Sequence, residues 1–289
     1  MKIAKITILI VQLIIIMLTG CNKLTEEEKT RFKEAIIKND RQYVEYILSK
    51  GVDLNDEKTF GYIPLHIAVW KNNIELIQLF LERGTNINIL NGLDQNCLFQ
   101  TYDINTVEYL IEHGANVNQV DKDGYIPLIL CSWHYELAKL YIEKGANYKH
   151  RNRNGISLFL AAVSDGNYEL VKYLINEKKI NVNEVLDNGF NALMWYMVSI
   201  KHVEELKNNN IIILLLNKGI NINHKDNKGF TALHIGALLN SEKEIMQILL
   251  NHGADVHIKN NKGKTPLDIA IERGNTDIIN LLKRYSRKR

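Results

Sequence analysis

The sequence predicts an all-α repeat array, and three observations predict it. An octet, Gly61-Tyr62-Ile63-Pro64-Leu65-His66-Ile67-Ala68, returns as Gly229 to Gly236 and Gly263 to Ala270, and more loosely as Gly124 to Leu128. A second motif closes each unit: Leu110-Ile111-Glu112-His113-Gly114-Ala115-Asn116-Val117 matches Leu249-Leu250-Asn251-His252-Gly253-Ala254-Asp255-Val256. Between the two, apolar side chains such as Leu76, Ile77, Leu79, Phe80 and Leu81 fall at helical spacing. Two motifs linked in fixed order override the length-based expectation of one or two globular domains for 289 residues and argue for a single array.

Residues 1–20 read as an address rather than part of the fold. Lys2 and Lys5 precede an apolar run from Ile6 to Leu18, too short to span a bilayer comfortably and right for the hydrophobic region of a signal peptide. The run ends in Leu18-Thr19-Gly20-Cys21, which resembles a bacterial lipobox. That resemblance implies that Cys21 is diacylated and becomes the first residue of the mature chain, with residues 21–24 as a short tether. Two acyl chains at about 0.8 kcal/mol per buried methylene anchor a protein stably, where one would be marginal. The expected location is a bacterial cell envelope, on the outer side of the cytoplasmic boundary. Removing Lys2 and Lys5 lowers the net charge of +3 and leaves no basic footprint for nucleic acid. Abundant Ile, Lys and Asn read as compositional bias rather than as function.

The octet and the closing motif resemble the ankyrin family, whose signature T-P-L-H-x-A recurs with a period near 33 residues. The resemblance implies a solenoid of repeats built as turn, inner helix, turn, outer helix, spanning 25–285, with residues 286–289 as a basic tail. Taking the turn residue after each outer helix as the register mark gives Gly51, Gly84, Gly114, Gly145, Lys179, Gly219 and Gly253, and an eighth repeat follows from Ile258. Glycine suits a position that needs the left-handed conformation; Lys179 breaks the pattern, beside what reads as one extra residue.

The repeats can then be justified in order. Repeat one, Thr25 to Asn55, opens with the capping-box pattern Thr25-x-x-Glu28, so a helix starts only four residues after Cys21. It lacks the signature, carries a charged face and reads as an N-terminal cap, which a solenoid needs because an end repeat has no neighbour to cover it. Repeat two, Asp56 to Asn88, is the most complete. Repeat three has Asn96-Cys97 where Thr-Pro would stand and is about three residues short; repeat four is about two short, at Ser132 to Tyr135. Both losses are expected in the loop between the helices. Repeat five, His150 to Asn183, has Leu158 for Pro. Repeat six gains about seven residues around Val198 to Asn210. Repeats seven and eight return to the consensus, and Asp268 in place of His marks repeat eight as the terminal cap. Small residues at Ala68, Ala162 and Ala270 permit close helix approach.

His66 and His234 are the tempting catalytic candidates, but in the family this slot bonds backbone between repeats. The other histidines form no i, i+4 pair, so no metal site is expected, and no cofactor. Cys97 and Cys131 occupy different slots one repeat apart, beyond disulfide reach, and are expected to be buried thiols. No nucleophile elbow, P-loop or spaced carboxylate pair occurs, so no enzyme activity and no small-molecule substrate are expected. Six aromatics are candidate partner contacts. Tyr62, Tyr125, Phe190 and Phe230 follow the turn glycine. Trp70 and Trp133 fall two residues beyond the Ala slot, which by the family's geometry places them on the concave inner-helix face. The Lys283-to-Arg289 tail, with five positive charges in seven residues, reads as a solvated end.

The sequence thus predicts a monomeric, membrane-tethered protein-protein interaction module of the bacterial envelope, binding a protein partner through the concave face and turn tips. The alternatives are a scaffolding or protective partner of a periplasmic enzyme, or a cell-surface protein that meets a host.

Overall fold

In the computed structural model, residues 24–200, 209–239, 241 and 243–287 are described. The leader, Cys21, residues 201–208 of the repeat-six insertion and the last two residues of the tail lie outside them. The chain divides into two compact units, Met1–Gln119 and Val120–Arg289, and each is described by itself. Both are made of short helices. Among the described residues the only β-pairings are two isolated bridges, Arg151 with Ser157 and Val185 with Asn191. No helix among them is long and apolar enough to cross a membrane.

The first unit starts where the capping box says it should. Thr25 Oγ1 accepts from the Glu28 amide at 3.1 Å, the Glu28 carboxylate accepts from the Thr25 amide at 3.0 Å, and the helix runs Glu26–Lys38. Three glutamates in its first turn, Glu26, Glu27 and Glu28, complement the helix dipole. Its partner helix, Arg41–Ser49, is capped by Asp40. Repeat two adds a turn of helix, Glu57–Phe60, then the inner helix Pro64–Trp70 and the outer helix Ile74–Glu82. Phe32, Phe60 and Phe80, all buried, meet between the first two repeats, with ring centroids 5.4 and 6.4 Å apart. Burying each such ring contributes roughly 1.5–3 kcal/mol.

Repeat three departs from expectation. Its missing residues come out of the inner helix, which shrinks to a four-residue 3-10 turn, Cys97–Gln100, before the outer helix Ile104–Glu112. Repeat four, in the second unit, does the same, with Pro127–Leu130 before Tyr135–Glu143. The loop does not absorb the deletions because its residues have fixed work. An Asn, Asp or His at its end accepts the amide of the outer helix's third residue, as Asn73, Asp103 and His134 do.

The second unit continues with Leu158–Ser164 and Tyr168–Asn176, Ala192–Ile200 and Asn210–Asn217, Ala232–Leu239 and Lys243–Asn251, and Pro266–Arg273 and Thr276–Ser286. Consecutive inner helices pack on one another and each packs on its own outer helix. The repeat-six insertion begins as helix, since Val198 falls within Ala192–Ile200. Proline opens three inner helices, at Pro64, Pro127 and Pro266, where the first turn has no intrahelical use for the missing N–H.

Seven register marks take the left-handed conformation, Lys179 included at φ +53°. The extra residue is visible there. Repeat two's outer helix ends at Glu82, two residues before Gly84; repeat five's ends at Asn176, three before Lys179.

Candidate functional site

The polar groups of the signature are consumed by the frame. His66 is 7% exposed, and its Nε2 hydrogen-bonds the Ile89 carbonyl of the following repeat at 3.1 Å. Burial outweighs that bond and pulls its pKa down to about 4, so the ring is neutral near pH 7. His234 is fully buried. Its Nδ1 accepts from the Thr231 amide at 3.1 Å, which leaves the proton on Nε2 to donate to the Lys264 carbonyl at 3.0 Å. Its pKa is lowered by burial too. In repeat eight, Asp268 turns instead to its own helix end and forms a capping box with Thr265, whose amide it accepts at 2.8 Å. Its carboxyl is held below the usual range chiefly by that amide.

Cys97 and Cys131 are both buried and free. Burial pushes the Cys97 thiol up to about 12 and raises Cys131 as well, so neither is a nucleophile at neutral pH. Among the described residues, no group of three or more His, Cys, Asp or Glu side chains is arranged to hold a metal ion.

A second set of bonds was not anticipated from the sequence. The Asn four places after a register mark reaches the next repeat with both ends of its amide. Asn55 Nδ2 donates to the Gly84 carbonyl at 3.2 Å while its Oδ1 accepts from the Asn86 amide at 2.7 Å. Asn88 does the same with Gly114 and Asn116, Asn183 with Gly219 and Asn221, and Asn223 with Gly253 and Asp255. Part of the asparagine content is therefore structural. The signal available in the sequence was the spacing of Asn from each register mark.

The turn tips, or fingers, are built by a third device. Asp226 Oδ1 accepts the amides of Lys228 and Phe230 at 2.9 and 2.7 Å, and Asp121, Asn152 and Asn260 repeat the pattern. Gly229, at φ +77°, faces the next finger so closely that a Cβ would stand 2.7 Å from the Asn261 nitrogen.

The six candidate aromatics separate into two classes on this frame. Tyr62 is half-buried: its hydroxyl donates to the Lys29 carbonyl at 3.1 Å, its ring lies 5.6 Å from that of Phe60, and burial raises its pKa. Tyr125, Phe190 and Phe230 are half-buried as well. Trp70 and Trp133 are 59% and 53% exposed. Trp70 is the last residue of its inner helix, at the end away from Pro64. Trp133 corrects the expectation of an inner-helix position. Because the helix of repeat four stops at Leu130, Trp133 lies in the inter-helix turn. Tyr102, 47% exposed in the corresponding turn of repeat three, was missed because a shortened repeat hides the slot.

Two pockets open in the second unit. One, of about 340 Å3, is walled by Phe190, Phe230, Ile235 and Leu238, with Asn188, Asp226, Asn227 and Lys228 around it. The other, of about 320 Å3, is lined by Asn154, Ile156, Leu186, Asp187, Asn188 and Trp195.

Fold and site together define a helical repeat protein in which His66, His234 and the polar turn groups bond one repeat to the next. The family model described as ankyrin repeats (3 copies) matches residues 3–91, 134–226 and 196–288. The chain belongs to the ankyrin-repeat family, whose members are protein-interaction modules. A fowlpox virus ankyrin repeat protein is 31% identical over 171 residues, 55% of this chain and 50% of the relative. A mimivirus ankyrin repeat protein is 25% identical over 230 residues, 70% of this chain and 29% of the relative. A variola virus ankyrin repeat protein is 26% identical over 174 residues, 55% of this chain and 31% of the relative. The chain thus spans half or less of the length of these relatives, none of which carries an enzymatic name.

Proposed function

We propose that the chain is a lipid-tethered protein-binding module of a bacterial envelope, anchored through Cys21 and holding a protein partner on aromatic contacts presented by the repeat frame. The observation that carries the binding reading is the exposure of Trp70 and Trp133, which are more exposed than any other aromatic side chain among the described residues. Such residues supply most of the energy in many interfaces. Phe190 and Phe230 add an apolar pocket, whereas Tyr62 is engaged with the Lys29 carbonyl and the Phe60 ring. A preformed frame loses little conformational entropy on association.

The tether rests on the Leu18-Thr19-Gly20-Cys21 pattern and the apolar run before it. It is compatible with the structure in that Leu24, three residues after Cys21, is already buried in repeat one. The repeats would then begin close to the lipid headgroups.

Two measurements test the reading. Labelled palmitate is expected to enter the wild-type protein and not Cys21→Ala, and equal labelling removes the tether. Crosslinking from envelope fractions is expected to recover a partner with wild type and to lose it with Trp70→Ser/Trp133→Ser. Undiminished recovery removes those contacts.

A further inference from the structure

The fingers of repeats five to eight carry unbalanced positive charge. Arg153, Lys225, Lys228, Lys259 and Lys262 are exposed at or beside their tips. The acids of the same fingers are mostly spent. Asp226 is buried on the amides of its own turn, Glu184 is paired with Arg151 at 2.8 Å, and Asp187 alone is exposed. The fingers are also held side by side. The Arg151 guanidinium donates to the Val185 carbonyl at 2.7 Å, the Asn227 amide to Asn188 at 3.2 Å, and the Asn261 amide to Lys228 at 3.0 Å. The charges therefore form a row rather than a scatter.

Beneath that row lie the two pockets, which share Asn188. The larger is apolar on its inner wall and has Lys228 on its rim. The other is more polar, with Asn154, Asp187 and Asn188 beside Ile156 and Leu186.

We propose that this face binds an extended acidic segment of a protein partner. Its carboxylates lie along the finger bases and one aliphatic side chain fills the Phe190–Phe230–Ile235–Leu238 pocket. The proposal rests on the protein-binding reading and names the partner's chemistry. With stacked helices about 8–10 Å apart and an extended chain rising about 3.3 Å per residue, four fingers are spanned by about nine residues. An acidic segment should also be steered to the row, with an affinity that falls as salt screens the charges.

The test uses the full chain and a fluorescent nine-residue peptide of glutamates and small residues around a central leucine, read by anisotropy. Binding is expected to weaken at least 10-fold when the central leucine becomes serine, and at least 10-fold for Lys225→Glu/Lys228→Glu with an unchanged melting temperature. The serine change lies in the ligand, so its effect does not depend on the protein's folding. The proposal is overturned if the peptide fails to bind at millimolar concentration or if leucine and serine peptides bind alike. It is likewise overturned if single-stranded DNA of equal length or anionic phospholipid vesicles bind as well as the leucine peptide, since the face is then a general polyanion or membrane surface. The broader reading fails separately. If Lys225→Glu/Lys228→Glu still recovers the wild-type crosslinked partner, only the acidic-segment assignment is lost, whereas no partner recovered by wild type removes protein binding itself.

Discussion

Repeats two and three are neighbours that solve the same packing problem with different amounts of chain. Repeat two spends seven residues on its inner helix, Pro64–Trp70, and repeat three only four, Cys97–Gln100. Their outer helices are both nine residues long, and each is capped three residues after the inner helix ends, at Asn73 and Asp103. Both inner elements keep one fully buried leucine, Leu65 and Leu98. Both inter-helix turns also reach a neighbouring repeat, Asn73 to Asn39 at 2.7 Å and Thr101 to Asn72 at 2.5 Å. Helix length is thus negotiable in this frame, and the polar joints between repeats are not.

The largest effect should come from the buried anchors, where the comparison can be broken most directly. Leu65→Ala is expected to cost about 3–4 kcal/mol and Leu98→Ala about 2–3 kcal/mol, because a four-residue turn can collapse onto a cavity more readily than a full helix. Urea unfolding of the two variants checks the order. Equal costs, or a larger one at Leu98, would show that the short element is packed as rigidly as the long one.

The joint at His66 predicts a pH dependence. Its ring titrates near 6.5 when unfolded and near 4 when folded. Above pH 6.5 both states are neutral and the full stability is present. Between 6.5 and 4 the unfolded chain takes up a proton that the folded chain refuses, so stability falls. Below 4 both are protonated and the loss levels off, at about 3 kcal/mol at most. Urea midpoints from pH 7.5 to 4.5 are expected to fall more steeply for wild type than for His66→Gln. Parallel curves would mean that the ring is solvated in the native state.

The frame was legible because its motifs are long and linked. The octet located the inner helices of repeats two, seven and eight, and Thr25 with Glu28 located the first helix start. What could not be read was where a repeat with missing residues would shorten. A deletion has no position in a sequence, and only the bonds made by Asn73, Asp103 and His134 show that the turn must be kept. The candidate contacts were half legible for a related reason. Tyr62 and Trp70 look alike in sequence, but a tip aromatic meets the neighbouring repeat while an aromatic at the far end of the inner helix does not. The structural role of the asparagines was not legible, since composition conceals a spacing that matters.

Those asparagines offer a finer probe of the joints. Asn55→Ala removes a pair of bonds, to the Gly84 carbonyl and the Asn86 amide, and should cost about 1–2 kcal/mol. Asn88, which bonds the Gly114 carbonyl and the Asn116 amide in the same way, provides a matched site. If Asn55→Ala costs nothing while Asn55→Asp costs more than about 1 kcal/mol, water replaces the bonds and only an intruding charge is felt.

The smallest effect concerns the one register mark that is not glycine. Lys179 sits at φ +53° and is exposed, so its side chain offers little to offset a left-handed backbone that costs an L-residue roughly 1–2 kcal/mol. Glycine there would relieve that strain but would free the unfolded chain by about 0.4–1 kcal/mol. Lys179→Gly is therefore expected to stabilise by about 0.5–1 kcal/mol, read as a rise in the urea midpoint. Gly219 provides the opposite test. It stands at φ +80°, and a Cβ added there would meet nothing within 4 Å, so Gly219→Ala should lose about the same amount through backbone strain alone. If Lys179→Gly destabilises, the extra residue before it, and not the left-handed turn, sets the geometry by which repeat five hands the chain to repeat six.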